Sequence, residues 1–269
     1  MLRRIVEAKR EEVARLHAST TLQSLLDEAK HMPAPRGFRS ALADSTRPVS
    51  VIAEVKKASP SKGVIRPDFD PVGIARSYAS AGAECISVLT DEPFFQGKTE
   101  YLRNIRTAVD QPLLRKDFII DEWQIAEARA CGADCVLLIA AIMEGEQLRD
   151  LSQAAEALGM DVLIEVHDRR ELEMVFRHVT PMLIGINNRD LRTFRTDLAV
   201  TREVAAEIPS GVLTVSESGI SSPADVEEVR QAGARAILVG EHFMRHEDVG
   251  KAVIQLVGER EGASPQVRS

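Results

Sequence analysis

A helix that stops at a glycine and gives way within three residues to a short apolar run recurs along this chain. That repeat dictates an alternating α/β fold. Ala81-Gly82-Ala83-Glu84 leads into Cys85-Ile86-Ser87-Val88-Leu89, and Cys131-Gly132-Ala133-Asp134 into Cys135-Val136-Leu137-Leu138-Ile139. Ala232-Gly233-Ala234-Arg235 precedes Ala236-Ile237-Leu238-Val239-Gly240, and Leu158-Gly159-Met160 precedes Asp161-Val162-Leu163-Ile164. Glycine after the last helical turn takes a left-handed conformation without a Cβ clash, which stops the helix and turns the chain. Eight apolar runs follow, near residues 49–55, 85–90, 112–116, 135–140, 161–166, 183–187, 212–216 and 236–240. They are continuous rather than alternating, as expected of strands buried on both faces of a parallel sheet. Helical stretches lie between them, such as Pro71–Ala81, Asp121–Ala130, Glu144–Leu158, Arg169–Val179, Leu198–Glu207 and Pro223–Gln231. The last opens with Ser222-Pro223, a capping residue and a proline at the first helical position. Eight βα units over about 220 residues is the size of a (β/α)8 TIM barrel, an α/β fold.

Polar residues fall where such strands tolerate them least. Val51-Ile52-Ala53 runs into Glu54-Val55-Lys56, Leu113-Leu114-Arg115 into Lys116-Asp117, and Val162-Leu163-Ile164 into Glu165. Leu183-Ile184-Gly185-Ile186 ends in Asn187-Asn188-Arg189, and Leu213-Thr214-Val215 in Ser216-Glu217-Ser218. All five lie at C-terminal strand ends, which is where the active-site rim of a parallel barrel is built.

The chain of 269 residues is 44% hydrophobic and 28% charged, enough for one domain with a sizeable core. A net charge of -7 argues against a general binder of nucleic acid or anionic membranes. The longest apolar stretch, Cys135 to Met143, is far short of the roughly 20 residues of a membrane span. Met1-Leu2-Arg3-Arg4 lacks the apolar core of a signal peptide, so a cytoplasmic protein is expected. Cys85, Cys131 and Cys135 abut apolar runs and read as buried reduced thiols. No His or acidic cluster completes a metal site around them. Residues 1–47 precede the barrel as a helical extension, with helices at Leu2–His17 and Thr21–Lys30 and a turn-rich His31–Gly37. Ile5, Val13 and Leu16 recur there with helical period, interleaved with Lys and Arg. The extension is expected to brace one barrel end or to help close the substrate pocket as a lid. Residues 48–258 form the barrel and 259–269 a polar tail, giving one domain.

The rim residues suggest acid–base chemistry on an anion. Glu54 and Lys56 are two apart in a strand, so both point toward the mouth. Lys57, Ser59, Ser61 and Lys62 follow in a loop suited to covering an anion. A lysine-rich loop is ordinarily just solvated, and it is Glu54 at the strand tip that singles out Lys56. Lys116 beside Lys56 would feel a like charge and partial burial, both of which lower a lysine pKa toward useful proton donation. Glu165 is the natural opposing base. Ser216-Glu217-Ser218-Gly219-Ile220 and Val239-Gly240-Glu241-His242 are the loops after strands seven and eight. That is the usual phosphate cradle of such barrels, and a phosphate monoester is the expected ligand.

Glu54-Val55-Lys56-Lys57-Ala58-Ser59-Pro60-Ser61-Lys62-Gly63 resembles the E-x-K-x-x-S-P-S-x-G signature of indole-3-glycerol phosphate synthase. Leu114-Arg115-Lys116-Asp117-Phe118, Ile164-Glu165-Val166-His167, Ile184-Gly185-Ile186-Asn187-Asn188-Arg189-Asp190-Leu191 and Ser216-Glu217-Ser218-Gly219-Ile220 look like that family's other motifs, in order. Phe94-Phe95-Gln96-Gly97 and the N-terminal helix from Lys9 to Val13 fit too, so the resemblance covers essentially the whole chain, in its monofunctional form. It implies closure of 1-(2-carboxyphenylamino)-1-deoxyribulose 5-phosphate to indole-3-glycerol phosphate with loss of carbon dioxide and water, in tryptophan biosynthesis. It also implies no metal or organic cofactor, and a monomer. By the same resemblance Lys116 would be the acid for ring closure and Glu165 the base. Lys56 would be a second acid or a holder of the substrate carboxylate. Glu54 and Asn187 would orient the lysines and sugar hydroxyls, Arg189 would hold the carboxylate-bearing end, and Glu217 would hydrogen-bond the amine or a hydroxyl. Ser59, Ser218, Gly219 and Gly240 would line the phosphate and substrate pocket. Phe95, Phe118, Leu137 and Leu191 would form the slot for the anthranilate ring.

One departure stands out. The family's eighth-strand motif usually carries a hydroxyl residue where this chain reads Gly240-Glu241-His242-Phe243-Met244, which puts a side-chain hydroxyl contact at 242 in doubt. Three rivals remain open. A phosphoribosylanthranilate isomerase would carry Cys and Asp where this chain has Lys56 and Glu165. A Schiff-base lyase would use Lys116 as nucleophile. A mere phosphate-binding protein has no need of an acid–base pair.

Overall fold

The structure is a computed structural model that describes residues 1–190, 193 and 195–259. Eight parallel strands close in chain order into a barrel: β1 Ser50–Val55, β2 Cys85–Leu89, β3 Leu113–Lys116, β4 Cys135–Ile139, β5 Asp161–Val166, β6 Leu183–Asn187, β7 Leu213–Glu217 and β8 Ala236–Val239. β8 returns to β1 with Ser50 opposite Ala236 and Ala53 opposite Val239, which abolishes both sheet edges. The expected strands are therefore present. A short hairpin, Ala58–Ser59 with Gly63–Val64, was not anticipated in the loop after β1.

Helices α4 Pro71–Ser80, α6 Thr99–Ala108, α7 Glu122–Ala130, α8 Gly145–Ala157, α9 Arg169–His178, α10 Ala199–Ala205, α11 Pro223–Gln231 and α13 Val249–Val257 follow β1 to β8 in turn. Two four-residue helices, α5 Glu92–Phe95 and α12 Glu241–Met244, sit in the loops after β2 and β8. Most of the long helices start at a side-chain cap, such as Asp70 on Val72 and Gly73, or the reciprocal Ser222–Asp225 capping box. Glycines at φ 78°, 89°, 76° and 107° (Gly82, Gly132, Gly159 and Gly233) end α4, α7, α8 and α11 as the sequence pattern requires. Among the described residues no helix is long and apolar enough to cross a membrane.

The pleat divides each strand between two cores. Val51, Ala53 and Val55, with Val136, Leu138, Ile184, Ile186 and Ile237, face outward into the layer packed by helices. Ile52, Leu114, Leu137, Leu163, Val215 and Leu238 fill the barrel interior. Extending the interior series two residues toward the C-terminal end reaches Glu54, Lys116, Glu165 and Glu217, and on β6 the series Leu183, Gly185 reaches Asn187. The alternation that packs the core thus delivers the polar set to the mouth.

The extension reaches both barrel ends. Its third helix, α3 Phe38–Ala43, plugs the N-terminal end, with Phe38 and Leu42 buried against Ile52, Cys85, Leu114 and Cys135. Arg36 secures it by donating to Val109 O at 2.7 Å and Gln111 O at 3.1 Å. The first helix, α1 Leu2–Ser19, lies at the opposite end, where Met1, Leu2 and Ile5 line the pocket. The extension thus plugs one barrel end through α3 and lines the pocket at the other through α1. The buried stripe of α1 is Ile5, Lys9 and Val13, whereas Leu16 is only half-buried. Lys9 belongs to that stripe because its ammonium meets Asp117 at 2.7 Å, Asp91 at 3.2 Å and Glu12 at 2.8 Å. It ties α1 to the loops after β2 and β3.

Candidate active site

Fourteen of the fifteen residues singled out from the sequence line one pocket of about 640 Å³ at the C-terminal mouth: Glu54, Lys56, Ser59, Phe95, Lys116, Phe118, Leu137, Glu165, Asn187, Arg189, Glu217, Ser218, Gly219 and Gly240. The remaining one, Leu191, lies outside the described residues.

Lys116 is the centre. Its Nζ donates to Glu217 Oε2 at 2.9 Å and to Glu165 Oε2 at 3.3 Å, from strands β7 and β5 across the barrel. The expectation that burial and a neighbouring lysine would depress its pKa is corrected here. Burial does lower it, but Glu217, Glu165 and Glu54 together outweigh burial and drive the ammonium well above the ordinary lysine value. Lys56 has its own partner, Glu54 Oε1, at 2.5 Å.

The two carboxylates on Lys116 diverge. Burial favours the neutral acid in both. At Glu165 that penalty is overcome by Lys116, by His167 and by a hydrogen bond from the Asn187 side chain, and its pKa lies below the ordinary value. At Glu217 burial, reinforced by repulsion from Glu165 and Glu54, prevails over Lys116 and pushes the pKa up to about 7. The rim therefore holds a firm ammonium, a firm carboxylate and a carboxyl poised to exchange its proton near neutrality. Gly185 and Gly240 make room for this arrangement. A Cβ at Gly185 would overlap Glu217 Oε1, and one at Gly240 would overlap Glu54 Oε1.

The walls differ in character. Phe95 and Phe118 face each other with ring centroids 6.1 Å apart above Leu137, forming an apolar side. Opposite lies a polar cradle in which Ser218 (φ 67°) and Gly219 (φ 84°) both adopt the left-handed region. The Asn188 amide fastens that turn. Its Nδ2 donates to Ser216 Oγ, Glu217 O and Ser218 O at 3.0–3.1 Å, and its Oδ1 accepts from Thr201 N and Oγ1. Glu241 gathers cations at the rim, contacting Arg189 at 3.4 Å, Arg245 at 3.0 Å and Lys62 at 3.7 Å. His242 lines the same end of the pocket, where burial and His246 hold its imidazole below the ordinary histidine value.

Three functional neighbours escaped the reading of the sequence. Lys9 was singled out only as part of the N-terminal helix, and two of its three partners, Asp91 and Asp117, are about 80 and 110 residues away. Asn188 points away from the pocket and acts on the turn from behind. His167 left a signal, since it lies two residues beyond Glu165 and so on the same side of the chain. Its Nε2 is 3.3 Å from Glu165 Oε1.

The family model described as "Indole-3-glycerol phosphate synthase" matches residues 2–256. Relatives of that name include one from Bordetella pertussis, 52% identical over 259 residues that cover 96% of this chain and 98% of the relative. One from Geobacillus kaustophilus is 51% identical over 262 residues, covering 97% and 98%. One from Rhodospirillum rubrum is 49% identical over 261 residues, covering 96% and 99%. Among solved structures, a 3-hexulose-6-phosphate synthase shares the fold with a TM-score of 0.60 at 15% identity, over 77% of this chain and 98% of the other.

Proposed function

The chain belongs to the indole-3-glycerol phosphate synthase family, and from that premise we propose which of its residues carry out the family's reaction. It is a carboxy-lyase of tryptophan biosynthesis that closes 1-(2-carboxyphenylamino)-1-deoxyribulose 5-phosphate to indole-3-glycerol phosphate, releasing carbon dioxide and water. The ring carbon bearing the carboxylate attacks the ketone, whose oxygen takes a proton. The carboxylate leaves as carbon dioxide, and its bonding pair restores the aromatic ring. The new hydroxyl then departs as water with a second proton, while the carbon next to nitrogen gives one up.

The observation that carries the assignment is Lys116 held between Glu165 and Glu217 in the uppermost interior layer. An ammonium there, on a side chain only 13% exposed, meets the ketone oxygen as charge develops on it. Glu165, held ionised, collects the proton released in dehydration. Lys56, or Glu217 with its carboxyl near 7, supplies the proton for the departing hydroxyl. Phe95, Phe118 and Leu137 take the anthranilate ring. Arg189 faces its carboxylate, and Ser59, Ser218, Gly219 and Gly240 receive the phosphate end. At 242 an imidazole replaces the family's usual hydroxyl contact. We place the enzyme in the cytoplasm as a single-domain monomer. Three buried free thiols support the compartment, and the scattering of its large exposed apolar side chains supports the monomer.

The test is fluorescence-detected indoleglycerol phosphate formation by wild type, Lys116→Met and Glu165→Gln. Both variants should lose activity at least 100-fold while still binding substrate, in line with removal of a general acid or base. Near-full turnover in either refutes its role. Absence of an adduct on borohydride treatment with substrate excludes a Schiff base on Lys116.

A further inference from the structure

The reaction takes up protons faster than it returns them. The ketone oxygen and the departing hydroxyl each take one, and only one comes back, from the carbon next to nitrogen. The carboxylate leaves as neutral carbon dioxide and returns none. If Glu165 passes its collected proton to Lys116, 3.3 Å away, the second acid is still left without its proton. Every turnover therefore draws one proton from solvent into a site where Glu165 is 2% and Glu217 1% exposed. Both line the pocket that the substrate would fill.

A chain of titratable groups leads into this site from the side. Glu165 presents Oε2 to Lys116 and Oε1 to His167 Nε2 at 3.3 Å. That Nε2 is buried and hydrogen-bonded to nothing, so its approach to Glu165 is an ion-pair distance that a small turn of the ring would align for transfer. The other ring nitrogen, Nδ1, lies 3.1 Å from Glu171 Oε2, on the first turn of α9. Glu171 is the outermost member, with its side chain 22% exposed. The same Glu171 oxygen accepts from the His167 backbone N–H at 2.7 Å, which fixes its place beside the ring. The charged groups facing His167 are Glu165 on β5, Glu171 on α9 and, further off, Glu217 on β7. All three are acids, and despite burial they hold its pKa above the ordinary value, so the imidazole is readily charged near neutrality.

We propose that Glu171 and His167 form the proton inlet of the enzyme, passing one solvent proton per turnover to Glu165 and thence, through Lys116, to Glu217 as the second acid, 2.9 Å from Lys116. A proton arriving at Glu171 binds Nδ1, the Nε2 proton moves to Glu165 Oε1, and rotation of the carboxyl presents it to Lys116. No bond other than N–H and O–H changes and no co-reactant is needed. His167 touches no substrate atom. It is a positioning and relay residue acting through Glu165, and the proposal rests on the acid–base roles assigned above.

A relay is needed to recharge the acids, not to run the first turnover from acids already loaded. In His167→Gln the amide still reaches Glu165 but carries no proton onward. Rapid-mixing fluorescence should therefore show a first turnover slowed far less than those that follow, the steady state falling about tenfold or more. KM should be unchanged. His167→Ala should regain its steady-state rate as imidazole is added, and Glu171→Gln should be slowed less than His167→Gln. The inlet is refuted if the His167→Gln steady state matches wild type, or if first and later turnovers slow equally, as a merely structural defect would make them. Glu165→Gln in the same experiment separates the two readings. Its full activity would overturn the acid–base assignment itself, whereas its inactivity beside a normal His167→Gln would overturn only the inlet.

Discussion

Replacing Lys9 by Met should destabilise the protein by about 3 to 4 kcal/mol at pH 7, and the deficit should shrink in acid. The Lys9 side chain is 1% exposed and its ammonium is shared by three carboxylates. Removing one member of a buried ion pair costs about 3 to 5 kcal/mol, because the other charge is left uncompensated. The loss falls unequally. Asp117 keeps Arg115 at 3.2 Å and the Thr90 hydroxyl at 2.5 Å, and Glu12, a third exposed, can turn to water. Asp91 is left without a counter-charge at 1% exposure, keeping only the Phe94 N–H on Oδ1, and its pKa is already raised by burial despite Lys9. Its escape is to take a proton. For a carboxyl with the ordinary pKa of 3.8 that costs about 4 kcal/mol at pH 7, at roughly 1.4 kcal/mol per unit, and a raised pKa makes it cheaper. The penalty is thus capped near 4 kcal/mol and should fall by about 2 to 3 kcal/mol between pH 7 and pH 5. Urea unfolding at both pH values measures it, and Asp91→Asn added to Lys9→Met should restore most of the loss. A deficit below about 1 kcal/mol at pH 7, or one that does not change with pH, refutes the reasoning. Because α1 carries Met1, Leu2 and Ile5 over the pocket, KM should rise in parallel.

Gly185→Ala would place a methyl group against the end of the Glu217 side chain, which can swing away from Lys116. It should cost kcat about tenfold or more with little change in Tm, and a fully active variant would show that the Glu217–Lys116 contact is dispensable. Asn188→Ala leaves Ser216, Ser218 and Thr201 without their shared partner, so stability should fall by about 2 to 3 kcal/mol. KM should rise there as the Ser218–Gly219 turn loosens, and an unchanged KM would remove Asn188 from the phosphate cradle. With Glu217 near 7, a second anion in the pocket should raise its pKa further. Binding of the substrate with its ketone reduced to an alcohol should then take up as much as about half a proton at pH 7. Calorimetry in buffers of different ionisation enthalpy reads this uptake, which Glu217→Gln should abolish; a buffer-independent heat in wild type refutes it.

Strand positions and site positions were legible in the sequence for one shared reason. In a barrel strand the same alternation that sends Ile52, Leu114, Leu163 and Val215 inward sends Glu54, Lys116, Glu165 and Glu217 inward at the next step. A polar residue at that step has no apolar explanation, so it announces the site. What depends on pairing across the chain left no such trace. Lys9 obeys helical periodicity once it is counted as buried, but nothing near it says that Asp91 and Asp117 will neutralise it. Asn188, quoted in the strand-tip motif without a role, is one residue out of phase with the interior series, and being out of phase is what puts it behind the turn it secures.

The sign of the Lys116 shift was lost in the same way, through counting neighbours on one side only. Lys56 was weighed as a like charge, yet it is already matched by Glu54. Once that pair is set aside, the barrel mouth holds one ammonium, Lys116, against two carboxylates, Glu165 and Glu217. Two full negative charges around one positive charge leave an uncompensated charge in a buried layer, which is costly. The layer becomes neutral if one carboxyl keeps a proton. Glu165 has His167 and Asn187 as additional partners, so it is Glu217 that moves toward the neutral acid. The surplus of acids over bases that holds Lys116 charged is thus also what provides the barrel with a second exchangeable proton.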